Sequence, residues 1–202
     1  MFQTIGHTFS LIGQSWRVLM QDRRLILFPL MAAGTLIVVM GAFSIIAATT
    51  GTFDRLDTAV AGAETEATAS DVVLSGVMLF AAYFIVMFFN AALVATAMER
   101  LRGRPASIGY GISKAASHVP ALIGWAIIAA TVGLILNALR NRTDNFLGQI
   151  AVSMVGGVWA YVTFFVIPVL VVEGLGPIAA VKRSGNLLKS TWGNQVAANF
   201  GF

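Results

Sequence analysis

The side chains able to do chemistry in this sequence are few, and their spacing keeps them apart. Two histidines, His7 and His118, sit in separate polar segments, where each reads as an interfacial polar residue. No cysteine is present, which excludes disulfides, thiol nucleophiles and cysteine-held metals. No two carboxylates share an apolar run, so a paired acid and base inside a membrane has no support. HExxH, phosphate-loop and GxSxG patterns are missing as well. The expectation is a protein that is not an enzyme, with no cofactor and no bound metal.

One carboxylate stands out by its place. Glu173 closes an apolar run that contains Pro168, and it precedes the turn Gly174–Pro177. A basic segment with Lys182, Arg183 and Lys189 follows, and Trp192 closes it. An acid just before a helix start is favoured by unpaired amides and the helix dipole, and Pro177 suits a first turn. Glu173, with Lys182, Arg183 and Trp192, therefore reads as a structural corner in which Glu173 pairs with Arg183. The alternative is a carboxylate that gates an opening. On a helical wheel Lys182, Asn186 and Lys189 fall together with Arg183 on their flank, while Val181, Leu188 and Trp192 fall elsewhere. Within the apolar runs Asn90 is the main polar candidate, beside Ser44, Ser75, Tyr83, Ser153, Tyr161 and Thr163. An amide in hydrocarbon wants a partner, so Asn90 reads as glue between helices.

The elements that must position these residues follow from composition. The chain has 202 residues, 57% hydrophobic and only 11% charged, with mean hydropathy +0.82. A soluble domain carries about 25% charged residues. The shortfall is concentrated in four runs free of Asp, Glu, Lys and Arg, at 25–53, 72–98, 115–139 and 145–172. About 20 apolar residues cross a hydrocarbon core roughly 30 Å thick. The predicted fold is all-α, a polytopic helical membrane protein forming one domain over 1–202. Transmembrane helices are expected at 25–49, 72–98, 119–139 and 146–172, with amphipathic interfacial helices at 1–21 and 176–192. Ile5, Phe9, Ile12, Trp16 and Leu19 form the apolar face of the first interfacial helix. The acidic, Gly/Ala/Thr-rich stretch 51–70 lacks apolar periodicity and reads as a loop, with Ser70 or Asp71 capping the second span. In the segment 106–118, Gly109 and Gly111 weaken the case for a helix.

Charge sets the orientation. With both termini of the chain inside, ten cations lie inside and only three, Arg55, Arg140 and Arg142, lie outside. That is a clear positive-inside bias. Ser15-Trp16, Ser117-His118 and Thr191-Trp192 each close a semi-polar segment, a weak internal echo. Ala129-xxx-Gly133 and Ser153-xxx-Gly157 place small residues one turn apart, which permits close helix packing.

Three stretches carry a family likeness. They are SWRVLMQDRRLILFP at 15–29, FFNAALVATAMERLRG at 88–103, and PVLVVEGLGPIAAVKRS at 168–184 with the later TWGNQ. They resemble an uncharacterised family of bacterial integral membrane proteins, distantly similar to the membrane domain attached to some glycerophosphodiester phosphodiesterases. The resemblance implies a six-helix membrane protein, of which this chain would lack the final two-helix hairpin; residues 196–202 look like the first turns of a fifth span. It carries no phosphodiesterase activity, since the catalytic domain has no counterpart here. The expected function is a non-catalytic subunit or scaffold of a larger assembly in the bacterial inner membrane. Its partners would be the lipid bilayer and other membrane proteins or further copies of itself, and no nucleic acid. The alternative is a transporter or channel for a lipid-like or small amphipathic solute.

Overall fold

The computed structural model describes residues 23–60, 68–143 and 145–199. The interfacial helix expected at 1–21 lies outside them. Every regular element among the described residues is helical. A short 3₁₀ turn, Arg23–Ile26, leads into α1 (Leu27–Thr49), followed by α2 (Thr52–Val60) and α3 (Ala69–Leu101). Then come α4 (Ile108–Ser117), α5 (Val119–Asn141) and α6 (Phe146–Val162). A helical turn at Val166–Pro168 and a π turn at Val169–Glu173 precede α7 (Pro177–Asn199).

Four of these segments are long and apolar enough to cross a bilayer: Arg24–Thr49, Ala69–Leu101, Val119–Asn141 and Phe146–Glu173. A helix that is apolar all round must be buried in protein or in lipid. In the most apolar stretches only 6% to 22% of residues are buried within the chain, so lipid is the remaining solvent for the rest. α1 shows this plainly, since Phe28 and Ala47 are its only buried residues. At about 1.5 Å per residue each segment outreaches the hydrocarbon core of roughly 30 Å.

α3 is the axis of the protein. It packs against α1, α4 and α5 and against both turns that precede α7. Its contact face is small: Ala91, Ala92, Ala95 and Thr96 are all buried, and they repeat at helical spacing. Small side chains let neighbouring backbones come close. The core around them adds Phe28, Met87, Leu122, Trp125 and Leu170. Trp125 and Trp159 stack with centroids 6.0 Å apart, joining α5 to α6.

Three expectations need correction. The stretch 51–70 is not all loop, because α2 occupies Thr52–Val60. This helix is short and amphipathic, and Thr52 and Arg55 tie it to α3 through Asp71. Gly51, at φ 68, makes the turn from α1, a conformation that any Cβ disfavours. The residue capping α3 is Thr68, not Ser70 or Asp71; Asp71 sits three positions on and accepts the Thr68 N–H at 3.0 Å. The fourth span is not one continuous helix. α6 stops at Val162, and the chain resumes in a short helical turn ending at Pro168 and a wider π turn after it. Proline cannot donate to the preceding turn, so a break near it is physically expected.

The segment 106–118 is a helix despite its glycines. Ser107 caps it, accepting the Tyr110 N–H at 3.1 Å. Gly111 is there for space. A Cβ on it would stand 2.5 Å from the Ala92 carbonyl oxygen and 3.0 Å from Phe28 Cζ, and would also collide with Thr96 Oγ1. The glycine that weakens α4 on its own is what lets it lie against α3.

Candidate functional site

The predicted corner forms where the π turn, packed against α3, passes into the start of α7, which lies against α5. The π turn ends at Glu173, Gly174 turns the chain at φ 69, and α7 starts at Pro177. Arg183 Nε donates to both Glu173 oxygens, at 2.9 and 3.1 Å. Among the described residues Glu173 makes no bond to the first amides of α7, so it holds the helix through its second turn rather than as a cap. The pair is partly exposed, with 34% of the Glu173 side chain and 47% of Arg183 accessible. An exposed pair of this kind contributes about 1 kcal/mol at most. Lys182 and Lys189 are exposed on α7. Trp192 belongs to α7 by its backbone, and its side chain lies outside the described residues.

His118 reaches the same corner. Its Nδ1 lies 2.9 Å from the Lys114 carbonyl, which can only accept, so Nδ1 carries the proton. Nε2 then faces Gly174, 3.7 Å from where a Cβ would stand. Among the described residues no group of three His, Asp or Glu side chains could hold a metal ion.

A residue that spacing alone did not bring forward holds this region together. Ser184 is completely buried; its hydroxyl donates to the Val162 carbonyl at 2.6 Å and accepts the Phe165 N–H at 3.0 Å. These are backbone groups freed by the break between α6 and the Pro168 turn. Backbone irregular at membrane depth persists only where protein satisfies its polar groups. Pro168 inside a charge-free run was the available signal; which side chain repairs the break depends on how α7 folds back.

Asn90 lies elsewhere, in the wall of a 380 Å³ groove between α1 and α3. Phe28, Pro29, Leu36, Val86 and Phe89 make that groove apolar. Asn90 shares no hydrogen bond with another helix among the described residues, so the structure does not bring it to a glue partner.

At the opposite end of α3 a second polar cluster was not foreseen. Asp71, only 1% exposed, accepts from Arg55 Nε at 2.8 Å, Arg55 Nη2 at 2.7 Å and Thr52 Oγ1 at 2.8 Å, besides the Thr68 amide. This two-pronged pairing is the strong form of the carboxylate–guanidinium bond. It also raises the pKa of Arg55, chiefly through the hydrogen bonds to Asp71. Arg55 is the only cation in an otherwise acidic stretch, which could have pointed to it.

Buried polar groups are thus assigned to holding elements in place, within a bundle that fits a bilayer. The fold is that of a multi-pass helical membrane protein. The chain belongs to a family of unknown function, DUF6159, whose model matches residues 69–202, beginning at the first residue of α3. No curated protein and no solved structure matches it.

Proposed function

We propose that this protein is a non-catalytic subunit or scaffold of a larger membrane assembly. In this reading it is seated in a bacterial inner membrane with its N-terminus cytoplasmic, as the ten-to-three charge bias favours. Its likeness to the membrane domain of glycerophosphodiester phosphodiesterases belongs to the same reading, without their catalysis. The observation that carries it is the state of the two small-residue motifs. A Cβ on Gly133 or on Gly157 would meet nothing within 4 Å. Gly133, Ser153 and Gly157 are exposed and open to a neighbouring helix, while Ala129 packs partly against the core. α6 supports this, since it buries none of its residues within the chain.

Because both glycines have room, Gly133→Leu and Gly157→Leu should leave the isolated fold intact while obstructing a partner. The expected result is co-purification of stoichiometric partners or copies with the unaltered protein in mild detergent, and at least about tenfold weaker association in the variants. A monodisperse, partner-free monomer in detergent and in nanodiscs would overturn the reading.

The groove beside Asn90 favours a second reading, a transporter or channel for a lipid-like or amphipathic solute, because it is apolar with one amide in its wall. Asn90→Ala or Glu173→Gln should then alter flux into liposomes. Flux equal to that of empty liposomes for the unaltered protein and both variants, over a broad solute set, would exclude it.

A further inference from the structure

We propose that the crevice where α3 and α4 meet the π turn binds a phosphate group, carried by a phospholipid headgroup or as the free ion. The crevice encloses 80 Å³ and is lined by Glu99, Arg102, Tyr110, Lys114, Met98 and Val172, among others. Its charge is not balanced. Glu99 is already bonded by Arg102 at 3.0 Å and Arg104 at 3.2 Å. Lys114 is half-buried and has no ion-pair partner among the described residues. Its backbone is fixed, since its carbonyl takes the Ser117 hydroxyl at 2.8 Å and the His118 ring at 2.9 Å. The Tyr110 hydroxyl likewise has no partner there. The Lys114 ammonium has no counter-ion in this crevice among the described residues, and an anion with several acceptor oxygens would pair with it.

Depth gives the lipid source its footing. The charge-free part of α3 ends at Met98, in the wall of this crevice, so the site stands where hydrocarbon gives way to headgroups. Met98 and Val172 offer an apolar wall beside the cations. This site is independent of whether the protein works as a subunit or as a transporter.

The test uses the full chain in dodecyl maltoside, which contains no phosphate, and follows acetylation of Lys114, Lys182 and Lys189 by mass spectrometry. Dioleoylphosphatidylglycerol is expected to slow acetylation of Lys114 about tenfold, with little change at Lys182 and Lys189. Dioleoylglycerol, with the same tails and no phosphate, should not protect. Protection by inorganic phosphate alone would support the site and identify the free ion as its source. In native mass spectrometry Lys114→Gln should lose retained phosphatidylglycerol about tenfold, whereas Lys189→Gln should keep it. Equal slowing at all three lysines, equal protection by dioleoylglycerol, or no protection by any probe would overturn the proposal.

Discussion

Gly111→Ala is expected to destabilise the protein by about 2 kcal/mol, the balance of about 3 kcal/mol for overpacking and about 1 kcal/mol gained in helix propensity. The added methyl would meet the Ala92 carbonyl, Phe28 and Thr96, which belong to α1 and α3. A backbone carbonyl cannot swing aside as a flexible side chain can, so α4 must move off α3. Gly109→Ala supplies the contrast within the same helix. Its Cβ would meet only Ser107 Oγ, at 3.7 Å. Here the propensity gain is unopposed, and stability should rise by about 0.5 to 1 kcal/mol. Reversible unfolding in bicelles measures both. A destabilised Gly109→Ala or a neutral Gly111→Ala would show that α4 does not lie against α3 as described.

Ser184→Ala is the second large effect, a loss of about 2 kcal/mol. It leaves the Val162 carbonyl and the Phe165 amide, both at the part-buried break before the Pro168 turn, without their partner. Hydrogen bonds between membrane helices are often worth less, about 0.6 kcal/mol on average, because the alternative state also finds partners. These two groups differ because the chain break leaves no other acceptor or donor in line with them. Hydrogen exchange gives the specific readout, since the Phe165 amide should exchange at least about tenfold faster. Thr163→Val is the comparison: its hydroxyl bonds Trp159 O at 2.7 Å within its own turn, where the backbone is already paired. Unchanged exchange at Phe165 in Ser184→Ala would remove the repair role from Ser184.

The spans were legible because a bilayer imposes one simple demand, a long charge-free run, and the sequence meets it four times. The pairing of Glu173 with Arg183 was legible for a related reason, as the lone acid at a basic corner. α2 and α4 were not. Each carries apolar residues at helical spacing (Phe53, Leu56 and Val60; Ile108, Ile112 and Ala115), but both stretches are short, and what fixes them, Arg55 bonding Asp71 and Gly111 fitting under Phe28, is not a periodic signal. The break in the fourth span was half legible, since Pro168 marked it while Ser184 became relevant only once α7 folded back. Asn90 is the opposite case. Its polarity in an apolar run called for a partner helix, and the groove it lines is bounded by α1 and α3 with no bond across.

The length of α3 has a mechanical consequence. Its charge-free part, residues 72–98, is about 40 Å long at roughly 1.5 Å per residue, against a hydrocarbon core of about 30 Å. The excess is absorbed by leaning, or by lipids stretching around it. Because α1, α4, α5 and the turns before α7 all rest on α3, a lean is inherited by most of the bundle. Membrane thickness thereby becomes an input to this protein's shape, and a bilayer of longer acyl chains would stand the whole frame more upright.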